Sequence, residues 1–360
     1  MNLILSLDYE LFFGPRHGSP QRCLVEPCQA LLKVTDRVAG KLAFFVDAGY
    51  LCKLEEHARA STSAQQEAHQ VFGHLEALSR AGHELHLHIH PHWEDTRRSE
   101  HGWQFDLKRY ALHSFPAAQI QDIVKRYKDA IARFVGAEAV FCYRAGGWVV
   151  QPFNTLAPAL RSNGIWLDST VFPGGVTKDS THSLDFRRSP DKDYWRFDAD
   201  PLTEASHGYF LEIPIASMRV APWAYWGLAI RKVAGGARHR PWGNGGAIAL
   251  GKRDFTSKLV GQTTSAVSID GPKAGWLESA YRKHRQRGRD CFVVIGHPKA
   301  LTPYSIDCLE KFLGGHPEIN LAGYSQYAPV ARHVSGLKSP CVHDSGSGVP
   351  AAGSKQYASP

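Results

Sequence analysis

The 360-residue sequence predicts an α/β fold built on parallel strands, and two observations carry that expectation. Seven short apolar runs, largely β-branched or aromatic, recur at 2–8, 42–46, 84–88, 140–144, 165–168, 209–214 and 291–297, with helical patterns between most of them. Strands alternating with helices form βαβ units, hence a barrel or a doubly wound sheet. Residues able to do chemistry close five of these runs: Asp8 and Glu10, His88 and His92, Arg144, Asp168, and His297. Parallel α/β folds build their sites at the C-terminal ends of strands, and five strands ending this way is hard to obtain by accident.

The elements follow in order. The first run, 2–8, is followed by a helical pattern at 27–38 and the second run by one at 64–81. Further helical patterns cover 117–135, 154–162 and 275–287. Residues 221–272 are rich in Gly, Trp and basic side chains with weak periodicity, which predicts a long loop insertion rather than a second domain. Residues 335–360 are rich in Gly, Ser, Pro and Ala and are expected to form a flexible tail, leaving one catalytic domain over 1–334.

Composition bounds the function. The chain is 43% hydrophobic and 21% charged, ordinary for a globular protein with a sizeable core. A net charge of +8 is mild at this size and fits an anionic substrate, a membrane surface or a plain enzyme. Lys and Arg are scattered rather than striped with aromatics, so nucleic acid is not expected as a partner. Seven cysteines, an odd number without Cys-x-x-Cys, suggest neither a disulfide framework nor a thiolate zinc site. Asp8 and Glu10 interrupt the N-terminal apolar run almost at once, and no apolar stretch approaches the roughly 20 residues of a spanning helix. The expected compartment is the cytoplasm, with no transmembrane segment and at most peripheral membrane contact.

The third run carries the strongest chemical signal. Gly82-His83-Glu84-Leu85-His86-Leu87-His88-Ile89-His90-Pro91-His92 holds five histidines in eleven residues. Imidazole is the commonest neutral metal ligand near physiological pH. Strand alternation puts His86, His88 and His90 on one side, and Pro91 then breaks the ladder. If the chain turns helical there, His88 and His92 stand at i, i+4 and can grip one ion. His86 and His90 are left as supporting or solvent-facing residues. The bland alternative is the polar face of an edge strand.

Taken in order, the motifs over roughly 2–330 resemble the polysaccharide deacetylase (NodB-homology, carbohydrate esterase family 4) family, and particularly its cytoplasmic, surface-polysaccharide-associated members. Ser6-Leu7-Asp8-Tyr9-Glu10 is similar to the first motif, in the Asp-x-acid form of some branches. Gly82-His83-Glu84 leading to His88-x-x-x-His92 resembles the second, and Arg144-Ala145-Gly146-Gly147 the third, without its usual proline. Gly164-Ile165-Trp166-Leu167-Asp168-Ser169-Thr170 resembles a Gly-x-x-x-Asp-Ser segment, and Ile295-Gly296-His297 the last motif. The resemblance implies a distorted (β/α)7 barrel of parallel strands and a divalent metal, zinc in the first instance. It implies Glu10, His88 and His92 as ligands, Asp8 as general base supported by Arg144, and His297 as general acid. Asp168 would orient His297 or contact substrate. The metal and a backbone N–H would hold the oxyanion of a hydrolysed N-acetyl group.

Tyr9, Trp93, Trp148 and Glu212 are further candidates for contacting a sugar. Glu212 is a charge in an apolar run, hence either a paired buried carboxylate or a substrate contact. Val267-Ser268-Ile269-Asp270-Gly271 reads first as a turn, with contact to the site as the alternative, and core packing is the first reading for any one of the tryptophans. The expected function is removal of an N-acyl group from an amino sugar, in a polysaccharide or a nucleotide- or lipid-linked precursor, the precursor being favoured where no secretion signal is seen. Two alternatives stay open. One is another amidohydrolase, metal-dependent with a His-x-His pair (His86-Leu87-His88 or His88-Ile89-His90) or metal-independent. The other is a carbohydrate-binding relative without catalysis.

Overall fold

A computed structural model describes residues 1–100, 102–178, 183–246 and 260–330. In chain order the strands are β1 (Asn2–Tyr9), β2 (Ala43–Asp47), β3 (Glu84–Ile89), β4 (Arg97–Ser99), β5 (Gly102–Gln104), β6 (Cys142–Ala145) and β7 (Leu167–Asp168). There follow β8 (Val176–Lys178), β9 (Ser183–Asp185), β10 (Trp195–Phe197), β11 (Phe210–Glu212), β12 (Ser217–Val220), β13 (Thr263–Ala266), β14 (Cys291–Gly296) and β15 (Asn320–Leu321). Seven of them pair in parallel in the order β14-β1-β2-β3-β6-β7-β11. These are the seven apolar runs of the sequence, the first six each beside its predecessor and the seventh, β14, beside β1.

The sheet curls, and backbone bonds outside the named strands link its two ends. Ala216 N donates to Val293 O at 2.9 Å, Ile295 N to Val267 O at 3.1 Å and Ile269 N to Ile295 O at 3.0 Å. Strands covered on both faces read as continuous apolar stretches, and β1, β2 and β14 are buried almost throughout. That burial is why composition alone marked them.

Around the sheet lie α1 (Glu26–Thr35), α2 (Ala48–Ala58), α3 (Thr62–Arg80), α4 (Ala117–Val135), α5 (Ala157–Ser162), α6 (Pro222–Ala234), α7 (Leu277–Gln286) and α8 (Pro303–Gly315). The longer amphipathic helices match the predicted patterns to within a few residues. Two were missed. α2 starts directly on Asp47 with no break in the apolar run, and α8 is announced only by Thr302, whose hydroxyl and Ser305 form a capping box ahead of Pro303. The predicted loop at 221–272 instead holds α6, a hairpin of β12 and β13, and a 3-10 run at Gly271–Trp276. The start of α6, Pro222-Trp223-Ala224-Tyr225-Trp226-Gly227-Leu228, is apolar throughout and contains Gly and Pro, so the helical periodicity reads as weak there. Residues 247–259 of that stretch and the predicted tail at 335–360 lie outside the described residues.

The chain closes over the sheet at Gly323. There the Glu84 carboxylate accepts N–H bonds from Tyr324 (2.8 Å) and Ser325 (3.0 Å) and bonds His86 Nε2 at 2.9 Å. Burial opposes charge on Glu84, but the His86 bond and these donors outweigh it and bring its pKa to about 2. A Cβ at Gly323 would stand 2.1 Å from Glu84 Oε1, so any larger residue must displace that clamp. Gly323→Ala is therefore expected to cost about 1–3 kcal/mol of unfolding free energy, measurable by urea titration. An unchanged midpoint would show that the clamp is not needed.

Candidate metal centre and its flanking acid–base pairs

The site forms where the parallel strands end. In β1, residues i and i+2 share a side, so Asp8 and Glu10 point together while Tyr9 points the other way. Tyr9 is fully buried between sheet and helix, with its hydroxyl 2.9 Å from His74 Nδ1 in α3. The same alternation in β3 and the residue after it aligns His88 with His90, since His90 keeps an extended backbone at φ −108° and ψ 92°. Glu10 Oε2 lies 2.6 Å from His90 Nε2 and 3.3 Å from His88 Nε2, and the two imidazole nitrogens are 3.1 Å apart. Among the described residues the group able to hold an ion is Glu10, His88 and His90.

His92 is not in that group. The chain after His90 takes a 3-10 turn, Pro91–Asp95, rather than the helical turn expected of an i, i+4 pair. His92 instead stacks on Tyr110 with ring centres 5.6 Å apart and lies edge-on to Phe13 at 4.6 Å. Gly146, directly after β6, leaves room for this arrangement, because a Cβ there would meet His90 Nδ1 at 2.5 Å.

The donor set fits a divalent cation. The Nδ1 of His88 lies 2.9 Å from the carbonyl oxygen of Arg144, to which it donates, so its Nε2 presents a lone pair to the cluster. Two imidazole nitrogens and a carboxylate oxygen face one another, and Glu10 Oε2 finds no hydrogen-bond donor. Burial disfavours charge on His88, yet Asp8, Glu10 and Asp47 around it outweigh this and raise its pKa. His90, by contrast, is pushed by burial down to about 4, the neutral form a metal ligand needs. Asp8 and Glu10 beside two imidazoles make a place for positive charge, whereas burial pushes Asp47 up to about 8.

Each carboxylate is held by its own partner. Arg144 is fully buried and places Nη1 2.7 Å from Asp8 Oδ1. Its other donors reach Ser169 O at 2.8 Å, Ser6 Oγ at 3.0 Å, and the hydroxyls of Ser169 and Tyr324 at 3.3 Å each. The guanidinium also lies 3.9 Å above the Phe45 ring. Lys299 Nζ donates to Glu10 Oε1 at 2.9 Å and to Leu11 O at 2.5 Å. Although burial works against it, Lys299 together with His90 brings the Glu10 pKa well below the ordinary carboxylate range.

Opposite Asp8 stands His297. Its Nε2 is 3.5 Å from Asp8 Oδ2, and its Nδ1 is 2.7 Å from Asp270 Oδ2. Asp270 also accepts the His297 backbone N–H at 2.7 Å. Burial lowers the His297 pKa, but Asp270 first, then Asp8 and Glu10, raise it to about 9. The carboxylate that orients His297 is thus Asp270, from the segment the sequence suggested as a turn, and not Asp168.

Asp168 and Glu212 form a separate pair, in register on β7 and β11. Thr170 donates its hydroxyl to Asp168 Oδ1 at 2.6 Å, and Val171 N donates to Glu212 Oε1 at 3.1 Å. Burial and the adjacent Asp168 push Glu212 well above its ordinary pKa, and burial lifts Asp168 to about 6. Trp93 is fully buried, with Nε1 2.6 Å from Asp47 Oδ2, away from solvent. Trp148 is half-buried against Phe172, at 5.1 Å. An open cleft of about 1250 Å³ lies beside the centre. Tyr110, which lines the cleft, packs its ring against both His90 and His92.

The sequence had not singled out Asp47 or Lys299 at all. Asp47 reads as the last residue of an apolar strand, and Lys299 as a solvent-facing cation after Pro298. Asp47 enters because β2 pairs with β3 with Asp47 opposite His88, and Lys299 because β14 lies beside β1.

No family model matches the chain, and no curated protein sequence matches it. Among solved structures, a candidate polysaccharide deacetylase from Mycobacterium smegmatis is 18% identical at TM-score 0.44, covering 86% of this chain and 78% of that one. A family 4 carbohydrate esterase from Streptomyces lividans, in complex with acetate, is 13% identical at TM-score 0.36, covering 89% and 92%. A 4-alpha-glucanotransferase from Thermococcus litoralis is 13% identical at TM-score 0.46, covering 91% of this chain but 40% of that one.

The carboxylate pair yields a signed prediction. A carboxyl with a raised folded pKa holds a proton the unfolded chain has lost, so stability falls as pH rises above the unfolded value near 4 and until the folded pKa is passed. Glu212→Gln keeps the acceptor and supplies a permanent donor to Asp168. Its stability relative to the wild type should rise between about pH 5 and pH 8, by up to about 1.4 kcal/mol per unit. Urea titrations of both proteins at several pH values check this, and a constant difference would refute the shared proton.

Proposed function

We propose that the chain is a metal-dependent hydrolase that removes an N-acyl group, most simply acetyl, from an amino sugar in a glycan or in its nucleotide- or lipid-linked precursor. One observation carries the reading: a base held by Arg144 and an acid held by Asp270 stand 3.5 Å apart over the cluster of Glu10, His88 and His90. Amide hydrolysis needs these parts together, because the amide is resonance-stabilised and its amine leaves only when protonated.

Glu10, His88 and His90 would hold the ion. With two nitrogens and one oxygen as donors, zinc is the first candidate. A divalent ion there supplies a Lewis acid that polarises the acyl carbonyl and acidifies a water. Asp8 Oδ2, left open while Arg144 engages Oδ1, accepts the proton of the attacking water. His297 donates a proton from Nε2 to the departing amine, with Asp270 on Nδ1 fixing the ring and supporting its charge. Lys299 fixes Glu10 through Oε1 so that Oε2 faces the histidines. The cleft lined by Tyr110, Gln151 and Phe153 gives room for the sugars beyond the reacting amide.

The neighbouring His88-Ile89-His90 pair also suits the alternative of another metal amidohydrolase, and the product separates the two. Protein purified without a metal-affinity tag is expected to carry about one equivalent of zinc or a similar ion, lost in His88→Ala. It should release acetate from N-acetylated sugar nucleotides or oligosaccharides. Asp8→Asn should keep the metal and lose about 10²–10⁴-fold in kcat. A wild type that is metal-free and cannot be loaded with zinc would end the proposal, and a loaded enzyme that releases no acetate would end the deacetylase assignment.

The acid gives a second test. Its active form is protonated, a form that Asp270 on Nδ1 favours, so the alkaline limb of the activity profile should report the His297 pKa. Asp270→Asn removes the main group raising that pKa, and the alkaline limb of the pH–kcat profile should move to lower pH. A limb that stays in place would assign the proton to another group.

A further inference from the structure

The described part of the 221–272 stretch leaves an apolar stripe in the open. Helix α6 is anchored on one side by Tyr225, whose hydroxyl lies 2.9 Å from Thr263 Oγ1 and whose ring meets Trp276 at 5.8 Å. On the opposite side Trp223, Trp226 and Ile230, spaced i, i+3 and i+7, are 77%, 54% and 63% exposed. Val260, at the return of the chain into β13, is 83% exposed. Two open tryptophans on one helix face are costly in water unless something receives them.

We propose that this face of α6 is an interfacial docking surface that seats the protein on an anionic lipid bilayer. Tryptophan suits that position, with its apolar body in the acyl boundary and its N–H among headgroups. Charge selects the occupant. Residues 217–246 contain Arg219, Arg231, Lys232, Arg238 and Arg240 and no Asp or Glu. Arg219 precedes the helix and, with Lys283 of α7 and Arg287 just after it, lines a hollow of about 300 Å³ beside the β12–β13 hairpin. Arg238 is paired with Asp307 of α8 at 2.7 Å, and the remaining basic residues leave the segment that carries the stripe with a positive charge that matches anionic headgroups. A second copy docked through the same face about a two-fold axis would set these cations against one another.

The surface is tied to the candidate metal centre. Trp276, against which α6 rests, ends the 3-10 run that begins directly after Asp270. Beyond α6, Gly243 N donates to Lys299 O at 3.2 Å and Trp242 N to Leu301 O at 3.0 Å. A bilayer under α6 would therefore lie next to the segments that carry His297's partner and Glu10's partner. The docking itself does not depend on the reaction performed.

Co-sedimentation with sucrose-loaded vesicles tests it, using phosphatidylcholine alone and phosphatidylcholine with about 30% phosphatidylglycerol. The wild type should pellet with the anionic vesicles, less so as salt is raised, and poorly with phosphatidylcholine alone. Trp223→Ser with Trp226→Ser should weaken binding at least about tenfold, with an unchanged melting temperature and unchanged metal content. Arg219→Glu with Lys283→Glu should weaken it on anionic vesicles only. A wild type that stays in the supernatant with both vesicles overturns the proposal, as does a tryptophan variant that pellets like the wild type. A dimer in sedimentation velocity that the tryptophan variant dissolves would assign the face to a second copy instead.

Discussion

The guanidinium of Arg144 is the group on which the rest of the site depends. A charge with no solvent contact is tolerable only when its donors are all engaged, and here Asp8, Ser6, Ser169 and Tyr324 engage them while Phe45 covers a face. These partners come from β1, from the end of β7 and from the chain that crosses the sheet after β15, so the ion pair ties distant parts of the curl together. The backbone oxygen of the same residue fixes His88. One position thus orients both the proposed base and a proposed ligand. Its removal would strand Asp8 without its cation, which is why a buried pair of this kind is felt far beyond its own contact.

Electrostatic sorting follows from that anchor. Asp8 and Glu10 sit two residues apart on one strand, where two free carboxylates would repel and behave alike. The structure distinguishes them by giving each a different cation. Arg144 takes one oxygen of Asp8 and leaves the other towards His297. Lys299 takes one oxygen of Glu10 and leaves the other towards the imidazoles. The same device recurs without a cation at Asp168 and Glu212, where burial and proximity make neutralisation by a proton the cheaper solution. Environment rather than residue type assigns the roles.

The fold was legible because the parallel strands are covered on both faces, so seven apolar runs in the sequence are seven strands in the sheet. Asp8, Glu10, His88, Arg144 and His297 were legible for a related reason: polar residues terminating such runs stand out. The third member of the cluster was not. Whether His90 or His92 joins His88 depends on the chain remaining extended for one residue past β3, and that is permitted by Gly146, more than fifty residues away, and by the rings of Phe13 and Tyr110 around His92. Asp270 was hidden because Ser-Ile-Asp-Gly looks like any turn until His297 is seen beside it. Helix α6 was hidden for the opposite reason, its start being apolar throughout.

That last failure carries its own information. A helix shows amphipathic periodicity when one face meets a core and the other meets water. In α6 the face with Tyr225 meets the protein, and the face with Trp223, Trp226 and Ile230 is nevertheless apolar. The apolar start of the helix and the exposure of that stripe are therefore linked: the sequence gives α6 apolar side chains towards the protein and away from it, and the folded chain, in its described part, covers one of these sides. The excess of basic residues in the same segment indicates the chemistry of the other.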